Sequence, residues 1–444
     1  MNIDEKLHRT AVIGAAGKMG RGIALLLLTE TITRDLELKR ESPSRIFLID
    51  RSVDGLKTLE EYLDVQMLKF AERNVGRLRG WYSDNDKLID NSEIIDEFLK
   101  DCRTRIMTMT TLTDLNECKL VFEAVFESIE IKSKVYQELK TICASDCLYF
   151  TNTSSIPISA INNSNDLQGR IIGFHFYNPP AVQKLVELIS MDANAEDFID
   201  MSKELIARLG KLMVPSNDIA GFIGNGHFIR EGLFYLREIL KTQLSQEASM
   251  LLVNRITNNY LIRPMGMLQL IDYVGLDVFK MICSTMSGFI EEDFSSPLLD
   301  TLLQEGIKGG QFGNGSQKDG FLQYQKGGIS GIYSPTEKAY KPIDEVEKEI
   351  KDLTSNVVPK SWKELSRDRQ KDEYLKDYFE ELIADKSNVA QKAISYLHNS
   401  REISRKLVSD GVAANSEDVN SVMTNGFYHL YGPDSHLLNC LGEE

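Results

Sequence analysis

The sequence is poor in cysteine and has no long apolar run. It contains six cysteines in 444 residues, and only Cys143 and Cys147 lie close together, at a spacing too long for a CxxC motif. Structural disulfides and metal sites such as zinc are therefore not expected. No apolar stretch approaches the roughly 20 residues that span a bilayer, so a membrane protein is not expected either.

Basic residues are also scarce relative to acidic ones. The net charge of -15 argues against nucleic acid as a partner, and an anionic ligand would need a small local group of cations. The first ten residues lack the basic and apolar segments of a signal peptide, which predicts a cytoplasmic protein. With 42% hydrophobic residues, the chain is typical of a globular protein, and its length predicts two or three domains.

A glycine-rich loop follows the first predicted strand. Residues 10–13 have β-type character, and residues 21–28 favour a helix. Between them, glycines would let backbone N–H groups approach a pyrophosphate at the positive end of the helix. Glycines also serve tight turns and close packing, so the motif alone does not decide the function. The cofactor-binding candidates in this loop are Gly14, Gly17, Lys18, Met19 and Gly20.

The second predicted strand ends in an acidic residue, Asp50. A carboxylate at this position accepts hydrogen bonds from the ribose hydroxyls of NAD and repels the extra phosphate of NADP, although Arg51 lies beside it. Further strands are predicted over residues 119–125 and 147–151, and a helical hairpin insertion over residues 53–105. The expected fold is an α/β Rossmann-type doubly wound sheet domain followed by one or two all-α C-terminal domains.

A histidine and a glutamate, His175 and Glu187, lie in two apolar segments joined by a proline-rich turn. Either residue alone would more often be a core residue than a catalyst. Two adjacent strands would place the imidazole and the carboxylate within hydrogen-bond reach. A carboxylate on one ring nitrogen raises the basicity of the other, as a general base for an alcohol requires.

Several motifs resemble those of the L-3-hydroxyacyl-CoA dehydrogenases, which include the 3-hydroxybutyryl-CoA dehydrogenases. The NTSS segment of that family corresponds to residues 152–155, and its HFFNP to His175-Phe-Tyr-Asn-Pro179. Its KLVEV corresponds to residues 184–188, its GFIVNR to residues 221–226, and its PMGPFELLDYVGLD to residues 264–277. The resemblance covers roughly residues 10–325.

The resemblance implies an NAD-dependent enzyme that oxidises L-3-hydroxyacyl-CoA to 3-oxoacyl-CoA, reversibly. It implies that His175 is the general base and Glu187 its orienting carboxylate. The polar residues that it places around the substrate and the cofactor are Ser154, Asn225, Glu127, Lys132, Asn152 and Asn178. The chain departs from the family in its GxxGxxG loop, in Gly226 where arginine is common, and in Met267 and Gln269, which replace a proline and an acidic residue.

Three domains are expected, namely residues 1–214, which bind NAD, residues 215–330, which form a helical substrate and dimerisation domain, and residues 338–444. Residues 215–218 are predicted to form the linker between the first two, and the glycine-rich residues 305–328 a loop. The last module weakly repeats the helical domain, so we expect either a homodimer or a monomer with an internal pseudo-dimer interface. His429 and His436 in this module are expected to have structural roles.

Two alternatives remain open at this stage. The chain could be a dehydrogenase of the same fold that acts on a free sugar acid such as L-gulonate. It could also be a non-catalytic NAD-binding or structural protein, although such a protein has no need of the complete set of Ser154, His175, Glu187 and Asn225.

Overall fold

The computed structural model describes residues 2–313 and 315–442, and the chain divides into two compact units, Met1–Asp218 and Ile219–Glu444. Apart from residues 215–218, the two predicted helical modules fall within the second unit. Among the described residues, no helix has the length and apolarity needed to cross a membrane.

Within its described residues, the first unit is built on an eight-stranded sheet. The strands are β1 (Arg9–Ile13), β2 (Arg45–Ile49), β3 (Ile106–Met109), β4 (Leu120–Glu123), β5 (Leu148–Thr151), β6 (Ile171–Phe176), β7 (Leu185–Ser190) and β8 (Leu212–Asn217). Their order is β3-β2-β1-β4-β5-β6-β7-β8. The strands β1 to β6 are parallel, whereas β7 is antiparallel to β6 and parallel to β8. The prediction of a doubly wound parallel sheet is confirmed, and the strand order reverses between β1 and β4, where such sheets bind ligands.

The helices of this unit are α1 (Ile3–Leu7), α2 (Gly20–Glu37), α3 (Val53–Arg73), α4 (Val75–Trp81), α5 (Asn91–Arg105), α6 (Ile129–Ile142), α7 (Ile158–Asn165) and α8 (Glu196–Arg208). The insertion predicted as a hairpin contains three helices, α3, α4 and α5, among the described residues. The start of α5 is fixed by a capping box in which Asp90 and Glu93 satisfy each other's backbone N–H groups.

Residues 215–217, predicted as part of a linker, belong to β8. Proline is tolerated there because, in the described part of the chain, β8 is an edge strand that pairs with β7 alone. The next residue, Asp218, accepts hydrogen bonds from the first backbone N–H groups of α7, those of Ile158 and Ser159. The predicted linker is therefore wrong, and this segment completes the sheet.

The second unit contains α9 (Phe222–Leu240), α10 (Gln246–Arg255), α11 (Met267–Val274), α12 (Leu276–Ser287), α13 (Pro297–Gln304), α14 (Ile343–Ile350), α15 (Trp362–Leu365), α16 (Lys371–Ala384), α17 (Asn388–Ser409) and α18 (Ser416–Gly426). A π-helical turn, Ile256–Tyr260, extends α10, and a 3-10 helix, His436–Leu441, lies near the end. One apolar core joins side chains from both predicted modules, for example Leu236 and Ile256 with Phe379 and Leu397.

The described part of this unit also contains a small antiparallel sheet that the sequence analysis did not predict. Its strands are β9 (Leu322–Gln325), β10 (Gly328–Ser334) and β11 (Ala339–Pro342), in the order β11-β10-β9. The predicted loop over residues 305–328 therefore ends in a strand. Buried Asp272 on α11 anchors the start of β9 by accepting hydrogen bonds from the backbone N–H groups of Phe321 and Leu322.

Candidate active site

The glycine loop lies at the carboxyl end of β1, where the sheet order reverses. Gly14 has a φ of +78°, and its N–H donates to the carbonyl of Ile49 at 2.8 Å. A Cβ on Gly14 would lie 2.6 Å from the carbonyl oxygen of Ala124, and one on Gly20 would overlap the carbonyl oxygen of Gly14. These two positions therefore require glycine because the loop folds tightly against its neighbours.

A cleft of about 470 Å³ opens beside this loop, and Gly14, Gly17, Asp50, Arg51 and Val125 are among its lining residues. The carboxylate of Asp50 accepts hydrogen bonds from the backbone N–H groups of Ala16 at 3.1 Å and Ser52 at 3.0 Å. A carboxylate can accept more than two hydrogen bonds, so Asp50 retains capacity for ribose hydroxyls. The glycine loop and the Asp50 carboxylate in one cleft provide the groups that bind the adenosine half of NAD in such domains.

The other two loop candidates have different surroundings. Met19 precedes α2 as its N-cap residue and packs against the core of the first unit. Burial lowers the pKa of Lys18, and the nearby charge of Arg21 lowers it further.

The His175 and Glu187 side chains meet across two antiparallel strands. In the register of β6 and β7, His175 lies directly opposite Glu187. Nδ1 of His175 is 3.1 Å from Oε1 of Glu187, and the carboxylate is fully buried. Because a carboxylate only accepts hydrogen bonds, Nδ1 carries the hydrogen, and the lone pair of the neutral ring lies on Nε2.

Two further contacts hold this pair. The Tyr177 hydroxyl donates to the same Oε1 of Glu187 at 2.6 Å. The Asn152 side chain accepts from the backbone N–H of Phe176 at 2.9 Å, which ties the end of β5 to the strand that carries His175. Asn152 was predicted to contact the cofactor, and here it also supports the strand. Asn178 follows Tyr177 and precedes Pro179 across a cis peptide bond.

Glu127 holds the segment that contains Ser154. Its Oε1 accepts from the Thr153 hydroxyl at 2.7 Å and from the backbone N–H groups of Ser154 at 2.9 Å and Ser155 at 3.0 Å. Burial acts to raise the pKa of Glu127, but the charge of Lys132 and these hydrogen bonds outweigh it and lower the pKa. Glu127 therefore stays ionised and keeps the position of Ser154 fixed.

Lys132 is buried between two carboxylates. Its Nζ lies 2.9 Å from Oε1 of Glu123 and 3.3 Å from Oε2 of Glu127, and its side chain is 1% exposed. Burial acts to lower the pKa of Lys132, but the two carboxylates outweigh it and raise the pKa. Sequence reasoning placed Lys132 beside the cofactor and substrate and missed Glu123, which also accepts from the hydroxyls of Tyr136 and Thr151. The available signal was an acidic residue at the end of an apolar strand, similar to Asp50 after β2.

Asn225, the remaining candidate, belongs to the second unit. It lies in the first turn of α9, which follows Gly221 at a φ of +85°. Its predicted contact with the substrate stays a prediction. The neighbouring Gly226 is buried, and a Cβ there would lie 3.0 Å from Cδ2 of Leu407 on α17. A side chain at position 226 would therefore press against Leu407 of the C-terminal module from its first carbon atom.

A doubly wound sheet with a glycine loop at its reversal point and an acidic residue after β2 defines a dinucleotide-binding domain. A buried imidazole held by a carboxylate in the same domain can act as the general base that oxidation of an alcohol requires. The fold and the site therefore place the chain among the NAD-dependent oxidoreductases.

Comparisons with known proteins make this class more specific. Residues 56–219 match the 3-hydroxyacyl-CoA dehydrogenase NAD binding domain, and residues 221–323 match the C-terminal domain of the same family. A 3-hydroxybutyryl-CoA dehydrogenase of Mycobacterium tuberculosis is 33% identical over 325 residues, which cover 72% of this chain and 100% of the relative. The human mitochondrial hydroxyacyl-coenzyme A dehydrogenase is 28% identical over 319 residues, covering 70% of this chain and 91% of the relative. The chain belongs to the 3-hydroxyacyl-CoA dehydrogenase family, and its cofactor is NAD.

A solved structure extends the likeness in fold to the C-terminal module. The 3-hydroxybutyryl-CoA dehydrogenase of Escherichia coli K12 aligns with 98% of this chain and 93% of its own, with a TM-score of 0.63 at 20% identity. The fold of nearly the whole chain, including the residues beyond the family match, is therefore shared with that protein.

Proposed function

We propose that this chain catalyses the reversible oxidation of L-3-hydroxyacyl-CoA to 3-oxoacyl-CoA, with His175 as general base and Glu187 as its orienting carboxylate. The observation that carries this proposal is the buried pair on opposed strands, with 3.1 Å between Nδ1 and Oε1. Bound NAD supplies the hydride acceptor. Nε2 of His175 takes the proton from the 3-hydroxyl, and Glu187 stabilises the imidazolium that results. In the reverse direction His175 returns the proton to the forming alcohol.

Ser154 and Asn225 are proposed to hydrogen-bond the substrate oxygens, and Asn178 to line the site. Glu127 has a positioning role in this scheme, because it binds the hydroxyls and backbone N–H groups of residues 153–155. Lys132 in turn holds Glu127 and compensates its charge. This arrangement supports alignment of the reacting groups, which contributes to catalysis by reducing the entropic cost of the reaction.

An acyl-CoA substrate is favoured over a free sugar acid by the names of the relatives, since 3-hydroxybutyryl-CoA is the compound named for the protein of M. tuberculosis. A dehydrogenase of L-gulonate remains the second candidate among enzymes. Roles in fatty-acid metabolism and β-oxidation, and a cytoplasmic location, stay predictions.

The experiment follows NADH formation with 3-hydroxybutyryl-CoA, with longer 3-hydroxyacyl-CoAs and with L-gulonate. We expect turnover of the CoA esters, and a loss of about 10²–10⁴-fold in kcat for His175→Gln. His8→Gln, the same substitution after α1, is the matched control and should keep the rate. Turnover of L-gulonate alone would refute the CoA proposal. NAD binding without turnover of any substrate would instead favour a structural protein.

We further propose that α17 and α18 repeat α9 and α10, so that the second unit contains an internal pseudo-dimer. Asn254 and Asn420 each precede a glycine by twelve residues, and in both cases a Cβ on that glycine would overlap the asparagine side chain. Each asparagine Oδ1 also accepts from a backbone N–H shortly after the glycine, that of Gln269 at 3.1 Å and that of Asp434 at 3.0 Å. The same asparagine and glycine arrangement at both places supports a duplication of the helical domain.

The state of association tests this second proposal. If the repeat replaces a partner subunit, the full chain should sediment as a monomer of 50.2 kDa over a wide concentration range. A stable species of twice that mass would contradict an internal interface that substitutes for dimerisation.

A further inference from the structure

Tyr177 makes a contact that its counterpart in the family motif cannot make. The HFFNP motif that this chain resembles has phenylalanine where Tyr177 stands. Here the hydroxyl donates to Oε1 of Glu187 at 2.6 Å, and the same oxygen lies 3.1 Å from Nδ1 of His175. Two donors therefore share one carboxylate oxygen.

We infer that Tyr177 is a positioning residue that sets the basicity of His175 through Glu187. The inference rests on the proposed function, in which His175 is the general base. A hydrogen bond from the phenol draws negative charge on the carboxylate toward itself, so that less remains to stabilise the imidazolium. The hydroxyl thereby weakens the support that Glu187 gives to a protonated His175 ring.

The tyrosine is a permanent donor in this arrangement. Burial raises the pKa of Tyr177 well above 10, and the charge of Glu187 raises it further, so the phenol keeps its hydrogen throughout the working pH range. The Glu187 side chain is fully buried, and His175 is 9% exposed. In such an environment, water does little to weaken the electrostatic effect of the two hydrogen bonds to this oxygen.

The other charged groups on the neighbouring strands and turns either have partners of their own or lie at the surface. Lys211, just before β8, donates to the carbonyls of Pro180 at 2.6 Å and Gln183 at 2.7 Å. Lys184, just before β7, is exposed. On the β4 and β5 side, the charges belong to the network of Glu123, Lys132 and Glu127. Opposite Glu187 on β8 stands the apolar Val214. The tyrosine hydroxyl is therefore a contact of Glu187 that can be removed without disturbing these charged groups.

The test compares Tyr177→Phe with the wild type in the pH dependence of kcat/KM for oxidation, which reports the free enzyme. The acid limb should move to higher pH by about 0.5–1 unit, the order of shift that one neighbouring hydrogen bond produces. Rates on the alkaline plateau should change much less. Tyr149→Phe, which removes a buried hydroxyl from β5, is the matched control and should leave the acid limb in place.

A second measurement separates this inference from the proposed function. NMR titration of the His175 ring in the unliganded protein, assigned by comparison with His175→Gln, should show the same upward displacement in Tyr177→Phe. An inactive wild type would refute the dehydrogenase proposal and leave this titration interpretable. An unmoved or lowered midpoint in Tyr177→Phe would overturn the inference even if the enzyme is active.

Site-specific 3-fluorotyrosine at position 177 covers the case in which Tyr177→Phe fails to fold. This analogue keeps the size of the ring and is a stronger hydrogen-bond donor. The acid limb should then move to lower pH, opposite in sign to the effect of phenylalanine. A shift in the same direction for both changes, or no shift with the fluorinated residue, would also overturn the inference.

Discussion

Replacing Lys132 with methionine should destabilise the first unit strongly. Lys132 is 1% exposed and lies between Glu123, which is fully buried, and Glu127, which is 11% exposed. Methionine fills a similar volume, so packing is nearly kept while the positive charge is removed. The change therefore isolates the electrostatic part of the network.

The expected loss of unfolding free energy is about 3–5 kcal/mol at pH 7, the cost of leaving a buried partner charge uncompensated. Two carboxylates lose their cation here, so the upper part of that range is expected. The double variant Lys132→Met/Glu123→Gln removes one of these charges and should recover about half of the loss.

The loss should also depend on pH. In the wild type the pKa of Glu127 lies below its usual value, so its contribution is present above about pH 4.5 and is lost as the pH falls through the lowered value. In Lys132→Met, protonation of a buried carboxylate that has lost its cation instead stabilises the folded protein. The difference between variant and wild type should therefore shrink as the pH falls from 7 toward 4.

Hydrogen exchange at increasing urea, followed by mass spectrometry of peptides from β4 and β5, measures the opening of this unit separately from the second. Lys134→Met on the exposed side of α6 is the matched control, with an expected change of less than about 0.5 kcal/mol. A loss below about 1 kcal/mol for Lys132→Met, or a loss that does not vary with pH, would contradict the compensation of Glu123 and Glu127 by Lys132.

Three further predictions concern other parts of the chain. Glu231→Gln should lower the free energy of unfolding by about 3 kcal/mol at pH 7, because the charge of Arg263 outweighs the effect of burial and lowers the pKa of Glu231 to about 2. In urea unfolding, the difference in stability between the variant and the wild type should narrow below about pH 4.5. Gly226→Arg should displace α17 through Leu407, seen as faster hydrogen exchange in α17, and unchanged exchange would contradict that packing. Asp50→Asn should weaken NAD binding by about tenfold in a fluorescence titration, consistent with about 1.4 kcal/mol for a hydrogen bond to a charged group, and should weaken NADP binding less. Equal effects on both cofactors would contradict the assignment of Asp50 to the ribose.

Local patterns were sufficient for the segments that carry the glycine loop, Asp50 and the pair of His175 and Glu187. The glycine loop from Gly14 to Gly20, the strand that ends before Asp50 and the apolar segments around His175 and Glu187 are each short and continuous in the sequence. Their periodicity and order follow from contacts between near neighbours, so they can be predicted without knowledge of the tertiary structure. The direct opposition of His175 and Glu187 also follows from a short connection between two strands.

The network around Lys132 could not be predicted in the same way. Glu123 lies on β4 and Thr151 on β5, and these strands meet only in the sheet. The tyrosine at position 177 was visible in the sequence, but its contact depends on which side chains of β7 face β6. The sequence around each of these residues contains no pattern that identifies the residue it contacts.

The amino-acid sequence alone was enough to predict the glycine loop with its flanking strand and helix, NAD as the cofactor, and His175 and Glu187 as a pair, because these depend on short segments with strong patterns. Only the tertiary structure decided that residues 215–217 complete the sheet, that β9, β10 and β11 form a second one, and that both helical modules share a single core. It also decided that Gly226 leaves room for Leu407. These features arise from contacts between residues far apart in the chain, and the packing of distant segments is what a local pattern does not contain.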